Sequence, residues 1–355
     1  MKVVSVQNIS KSYKEVQAVK NVSFEVNEGE IFGLIGPDGA GKTSVFRILT
    51  TLLLPDSGKA TVGGFDIRSG YRDIRNRVGY MPGRFSLYQD LTVAENLHFF
   101  ATLFNTEIQA NYDLIKDIYE QIKPFSDRRA GKLSGGMKQK LALCCALIHR
   151  PEILFLDEPT TGVDVVSRKE FWEMLDKLKK NGITIIVSTP YMDEAKLCDR
   201  IALMQSGEIM SIDTPEHIEQ SFNQPLYAAK APDMFSFLKA LRADAAVEHC
   251  YSFGEYLHLT LDSDRHGKVE DLQGSSKEAP VKREGLRQDD PHASGASGSA
   301  PVDKGAVTAL IRKCGGPQAT VHEIQPTVED VFIRLVEQKK TSPEQDSDAK
   351  AQRPL

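Results

Sequence analysis

The sequence predicts an α/β protein in two parts, a large and mainly parallel core followed by a smaller α+β unit. Three observations carry that expectation. Short apolar runs of strand length alternate with amphipathic helical stretches over residues 1–215. A glycine-rich turn stands between one such run and a helix, at residues 36–43. From residue 216 a second set of strand-like runs begins, interrupted by a long stretch poor in large apolar residues. A chain of 355 residues is long enough for two domains.

The runs VVSV, VSFEV and IFGLI open the chain as strands. The glycine-rich turn follows, and KTSVFRILTTLL continues as a helix. KATVGGFDI and RVGYMP are further strands. Over residues 85–150 the period changes. NLHFFATLF and YDLIKDIYEQI repeat apolar residues at i, i+3 and i+4, so this block is expected as a helical subdomain inserted into the core. EILFLDEP returns to a buried strand. SRKEFWEMLDKLKKNG is a helix with lysines in its last turn and Gly182 just past its end, as a helix C-terminus favours. ITIIVST and RIALM complete the core.

Residues 216–338 are expected as one accessory domain. PLYAAKA, AVEHCYSF, EYLHLTLD and ATVHEI are its strands, and DMFSFLKALR, GAVTALIRKCGG and TVEDVFIRLVEQ its helices. Setting aside residues 263–302 leaves the order β-α-β-β-α-β, a ferredoxin-like arrangement, before the last helix. The segment 263–302 is rich in Gly, Ser, Pro and charge. It buries too little to offset its ordering entropy, so it is expected to be disordered, and its deletion to leave folding intact. Residues 339–355 are expected as a disordered polar tail.

Composition narrows the class. A net charge of −5 gives no basic face for nucleic acid. No apolar run approaches the ~20 residues that span a bilayer, and the N-terminus has no signal-peptide pattern. A cytoplasmic chain, able to dock on a membrane protein, is the expectation. Five cysteines without a C-x-x-C or zinc spacing are expected as buried, reduced thiols.

The chemistry lies in three motifs. GPDGAGKT (Gly36, Pro37, Asp38, Gly39, Ala40, Gly41, Lys42, Thr43) fits G-x-x-x-x-G-K-S/T in the strand–turn–helix context that pattern requires, with Ser44 next in the helix. Its glycines let backbone N–H groups face phosphate, Lys42 can reach the β- and γ-phosphates, and the Thr43 hydroxyl can ligate Mg²⁺. ILFLDEP ends a buried strand in Asp157, suited to the Mg²⁺ shell, and Glu158, suited to polarise an attacking water. LSGGM (Leu133, Ser134, Gly135, Gly136, Met137) opens a helix, a second anion-binding terminus. One chain rarely needs two γ-phosphate cradles, whereas two chains facing each other would each close the other's nucleotide site.

With GPDGAGKT, LSGGM, ILFLDEP and TGVD in this order, residues 3–215 resemble the ATP-binding subunit of an ABC transporter, a P-loop NTPase fold. The resemblance implies ATP and Mg²⁺, a head-to-tail dimer with a second ATP-binding subunit, and permease partners in the membrane. It implies that Tyr13 stacks on adenine and that Asp164 in TGVD faces the opposite site. It also implies that the helical block, with RFSLYQDLTVAENL, receives the permease's coupling helix, and that the chain sits peripherally on the cytoplasmic face. PTVEDVFIRLVE at residues 326–337 resembles the ending of ABC-2-type exporter ATPases of the daunorubicin-resistance kind.

Two positions depart from the family's pattern. Gly83 stands where a glutamine usually follows GYMP, and Pro190, in STPYMDEA, where a histidine usually follows ST. The expectation is sound ATP binding with weak hydrolysis, recovered by restoring both side chains, unless Arg84, Gln89 or Tyr191 substitutes. Two alternatives to an exporter ATPase stay open: a regulatory half that completes a partner's site, and an ABC protein outside transport.

Overall fold

The computed structural model describes residues 1–83, 87–262 and 304–341. The expected disorder at 263–302, the greater part of the expected tail at 339–355, and Arg84 lie outside these residues.

The chain begins with β1 (Lys2–Tyr13), β2 (Val16–Asn27), β3 (Ile31–Ile35), α1 (Lys42–Leu49), β4 (Ser57–Val62), β5 (Phe65–Asp66), α2 (Tyr71–Arg77) and β6 (Val78–Met81). The helical block follows as α3 (Val93–Leu103), α4 (Tyr112–Ile122) and α5 (Gly135–Leu147). Next come β7 (Ile153–Asp157), α6 (Val165–Lys180), β8 (Thr184–Thr189), β9 (Arg200–Gln205), β10 (Glu208–Asp213) and α7 (Pro215–Gln220).

These strands form two sheets rather than one parallel core. β1 and β2 pair antiparallel and join β4 and β5 in the order β2-β1-β4-β5. The reason is local. Only Lys14 and Glu15 separate the paired residues Tyr13 and Val16, and a parallel return needs a crossover of a dozen or more residues. Lys14 takes the left-handed turn, with φ at 54°. The second sheet runs β10-β9-β3-β8-β7-β6, parallel from β9 to β6, with β10 antiparallel at one edge. Every residue of β3, β7 and β8 is buried, which is why these runs are continuously apolar instead of alternating. Phe46 of α1 meets Phe155 of β7 edge to face, 5.6 Å between ring centres, and fixes the helix on the sheet. In register, Ile35 pairs with Thr189, and Asp157 with Ser188. The loops after β3, β7 and β8 therefore leave from one edge, at the strands' carboxyl ends, where α/β proteins bind ligands.

The remaining elements are β11 (Leu226–Lys230), α8 (Met234–Ala243), β12 (Val247–Phe253), β13 (Tyr256–Leu261), α9 (Lys304–Gly315), β14 (Thr320–Ile324) and α10 (Val328–Thr341). The chain divides into two compact units, 1–222 with 327 onward, and 223–326. This differs from a single accessory domain over 216–338. Helices α7 and α10 belong to the first unit, where α10 packs on α7 and on the 3₁₀ turn Met192–Leu197. Val328 and Val331 are buried there, and the Arg334 guanidinium lies 5.0 Å from the Phe222 ring centre. The expected tail is helical as far as Thr341.

The second unit is a four-stranded antiparallel sheet in the order β12-β13-β11-β14. Its own core joins Phe237 and Leu241 of α8 and Val307 and Ile311 of α9 to Leu257 and Leu259 of β13. It is an insertion: its first and last strands are neighbours, Leu226 opposite Ile324, so the chain enters and leaves at adjacent strand ends. Phe237→Ala, at a side chain 1 % exposed, is expected to destabilise this unit by about 3–5 kcal/mol. Calorimetry should resolve that as one lowered transition, while ATP still raises the other. A single transition lowered as a whole would mean that the units do not melt separately. All five cysteines are free thiols, four of them buried.

Candidate functional site

β3 delivers the chain into the glycine-rich turn at Gly36. A side chain is excluded there, since a Cβ would stand 2.1 Å from the Met204 carbonyl oxygen. Gly41, with φ at 107°, is equally constrained, its Cβ position 2.3 Å from the Ala18 carbonyl oxygen. Between them Asp38 and Gly39 are exposed at the tip and Ala40 is buried. Lys42 opens α1 and is 3 % exposed. Its ammonium donates to the carbonyls of Gly36 at 2.8 Å and Pro37 at 3.0 Å, and stands 3.2 Å from Glu158 Oε1. The charge is therefore held at the mouth of the turn by the turn's own backbone.

β7 brings the carboxylates. The Thr43 hydroxyl donates to Asp157 Oδ1 at 3.2 Å, and the Ser188 hydroxyl donates to the same oxygen at 2.6 Å. Asp157 is 2 % exposed, so these bonds are what make a buried carboxylate tolerable. Glu158 takes a left-handed backbone, φ 51°, uncommon for a residue with a side chain and typical of functional sites. Its N–H donates to the Ser188 carbonyl at 3.0 Å and lies 3.1 Å from the Ser188 hydroxyl oxygen. Ser188 was not anticipated as a site residue. Its signal was faint, one hydroxyl at the end of an apolar strand. Behind Asp157, burial and then the Asp157 charge push the Tyr80 phenol up to about 12 against the opposing effect of Arg47. Tyr80 therefore stays neutral.

A hard cation suits this arrangement. The Thr43 and Asp157 oxygens are adjacent, and among the described residues no group of three His, Cys, Asp or Glu gathers to make a metal cage. Mg²⁺ is typically held by one or two protein oxygens together with substrate phosphates.

The remaining expected residues fall in two places. Tyr13 is 42 % exposed, its hydroxyl 3.3 Å from the Ser44 hydroxyl, at the flank of the glycine-rich turn. Gly83 is exposed, and a Cβ there would stand 2.9 Å from the Asp157 carbonyl oxygen. Pro190 follows Thr189, whose carbonyl accepts the Gly36 N–H at 3.2 Å. These belong to one centre. Ser134 to Met137 do not: Ser134 is exposed and caps α5 by accepting the Met137 N–H at 3.4 Å. The neighbours of this segment are Gly162 and Ser167, the latter 2.8 Å from a Cβ placed on Gly136. Asp164 caps α6 beside them, and the Ser167 backbone N–H, then its hydroxyl, hold its carboxyl below the ordinary aspartate range. Of the possible substitutes, Gln89 accepts the Gly131 N–H through its carbonyl, and Tyr191 donates its N–H to the Thr189 hydroxyl.

Residues 19–161 match the family model described as ABC transporter. A Nod factor export ATP-binding protein I from Burkholderia orbicola is 36 % identical over 259 residues, which cover 70 % of this chain and 85 % of that protein. The chain belongs to the ABC transporter ATP-binding family. A probable multidrug ABC transporter ATP-binding protein, YbhF of Escherichia coli, is 41 % identical over 224 residues, 62 % of this chain, and the match spans 39 % of that longer protein. A daunorubicin resistance ATP-binding protein from Streptomyces coeruleorubidus is 39 % identical over 220 residues, 61 % of this chain and 68 % of that one. Among solved structures, a dimeric ATP-binding cassette in a post-hydrolysis state with ADP and Pi is 26 % identical with a TM-score of 0.55, covering 59 % of this chain and 98 % of that one. An ATP-binding subunit of an ABC transporter gives a TM-score of 0.57 at 25 % identity, covering 62 % and 93 %. The first unit thus has the mixed α/β P-loop NTPase fold of ABC cassettes.

Proposed function

We propose that the chain is the ATP-binding and ATP-hydrolysing subunit of an ABC-2-type membrane exporter. The observation that carries this reading is the convergence of Lys42, Thr43, Asp157 and Glu158 at the carboxyl edge of one parallel sheet, within 3.2 Å of one another along the chain of contacts. The glycine-rich turn binds the ATP phosphates through its N–H groups and Lys42, and Tyr13 stacks on the adenine. Thr43 and Asp157 would hold Mg²⁺, which would supply positive charge to neutralise the triphosphate. Glu158 takes a proton from the attacking water.

The exposed Ser134 and its helix start support the trans arrangement. With no contact to the chain's own glycine-rich turn among those described, they would close the site of a second ATP-binding subunit, as Asp164 would from the adjacent cap. The relatives named for export support the direction of transport, and an ABC-2-type permease is the partner. No described helix is long and apolar enough to cross a membrane, which fits a peripheral subunit on the cytoplasmic face. A groove of about 430 Å³ between sheet and helical block, lined by Tyr80, Met81, Leu87, Phe100, Phe104 and His149, suits a permease helix. Residues 1–215 serve as the nucleotide-binding domain, and the strand order of the second unit supports a ferredoxin-like accessory domain.

Gly83 and Pro190 favour one variant of this reading: a weakly hydrolysing half whose Ser134 completes a more active partner. Ser134→Arg tests the trans role. In a mixture with the partner ATPase it is expected to lower the partner's turnover at least about tenfold, by losing oriented donors to the γ-phosphate. ATP binding to its own glycine-rich turn should be unchanged. Phosphate release by the mixture and nucleotide binding by the purified chain measure the two. Loss of the chain's own binding with the partner unaffected would refute the head-to-tail arrangement.

A further inference from the structure

One side chain, Arg168, ties the helix that begins at Asp164 to the loop after β8. Arg168 sits one turn into α6, its N–H donating to the Asp164 carbonyl at 2.9 Å. Its guanidinium makes two hydrogen bonds to Glu194 Oε1, from Nη2 at 3.0 Å and Nε at 3.2 Å. It reaches Asp193 Oδ2 at 3.5 Å and lies 4.2 Å from the centre of the Tyr191 ring. Glu194 is 2 % exposed. Its other oxygen accepts from the Thr189 hydroxyl at 2.6 Å, and that hydroxyl accepts from the Tyr191 N–H at 3.1 Å. The Thr189 carbonyl in turn accepts from Gly36 N–H at 3.2 Å. An unbroken line of hydrogen bonds thus runs from the α6 cap, through Arg168, Glu194 and Thr189, to the first glycine of the phosphate loop. Charge-assisted bonds of this kind in a desolvated place are strong and directional. Pro190, the first residue of the loop, has no N–H and no side-chain donor of its own. The loop is held from its flank instead.

The geometry points to Arg168 as a positioning residue for hydrolysis: it fixes the loop bearing position 190 against the phosphate loop and makes it follow the Asp164 cap. This rests on the hydrolytic reading of the site proposed above. Because the contacts of Arg168 are to Asp164, Tyr191, Asp193 and Glu194 and not to the glycine-rich turn, its loss should lower turnover without weakening ATP binding.

The test uses the full chain in the assembly that hydrolyses ATP. Arg168→Lys keeps the charge and loses the two-pronged geometry and the flat face over Tyr191. Arg168→Met combined with Glu194→Gln removes both charges together, so neither is left buried alone. For Arg168→Lys the expectation is a kcat about tenfold lower with KM within about twofold, and for the double variant a larger fall in kcat. Deuterium uptake over 189–198 should quicken in both, with the rest of the first unit unchanged. An unchanged kcat in the folded variants, a KM rising in proportion to the loss, or unchanged uptake over 189–198 would overturn the proposal. If the wild type binds ATP and releases phosphate no faster than Glu158→Gln, the hydrolytic reading itself fails. The deuterium measurement then still decides whether Arg168 clamps the loop.

Discussion

Glu158→Gln is expected to bind ATP as the wild type does and to hydrolyse it about 10²–10⁴-fold more slowly, the range that a positioned general base contributes. The substitution is nearly neutral for structure. Glu158 is set by its backbone: φ at 51° and the N–H bonded to Ser188, neither of which depends on the carboxylate. The amide fills the same space. It gives up the ion pair with Lys42, whose ammonium keeps the carbonyls of Gly36 and Pro37, so the phosphate loop is preserved. What the amide cannot do is accept a proton from water as that water attacks. Interactions made only in the transition state govern the chemical step. Nucleotide titration and phosphate release on the same preparation give the two quantities. Hydrolysis at the wild-type rate would remove Glu158 from the chemistry.

Pro190→His is expected to raise turnover by about 10²–10³, the effect of adding one preorganised donor at the γ-phosphate. The loop should tolerate the change, because Thr189 is tied to Gly36, Tyr191 and Glu194 by its own atoms, and none of those bonds involves the proline ring. Gly83→Gln is a different matter. A side chain there starts 2.9 Å from the carbonyl oxygen of Asp157, and backbone cannot swing aside as a flexible side chain can. Displacing it would disturb the residue expected to hold Mg²⁺. Restoring both family side chains is therefore expected to give less than Pro190→His alone, in contrast to the simple sum suggested by motif comparison. Steady-state phosphate release for the wild type, both single variants and the double variant separates these outcomes. A fast wild-type homodimer, indifferent to Pro190→His, would mean that the loop never lacked a donor.

Much of the site was legible in the sequence because each part is contiguous. Residues 31–44 carry strand, turn and helix start in one stretch, and Asp157 with Glu158 ends an apolar run of strand length. Parts defined by distant partners were not. Ser188 matters through Asp157, 31 positions away, and Arg168 through Glu194, 26 positions away. Neither carries a local signal. The hairpin of β1 and β2 was hidden for another reason. Apolar content marks strands, but connection length decides their direction, and the short link at Lys14 and Glu15 outweighed the α/β alternation around it. The domain boundary failed likewise. The apolar face of α10 reads the same whether it covers the accessory sheet or, as found, packs on α7.

The pairing of Leu226 with Ile324 has a consequence for engineering. Opposed residues in an antiparallel ladder lie only about 4.5–5.5 Å apart, so the inserted unit begins and ends on neighbouring strand residues. A guest joined through two such closely spaced ends is a removable insertion. It can be removed by splicing across the gap with a few flexible residues, or exchanged for a reporter domain whose termini also leave from neighbouring strands. Chimeras built at this junction would let ATP turnover and the contribution of the accessory domain be assigned separately. Retained nucleotide binding in the spliced chain would mark the junction as a true seam.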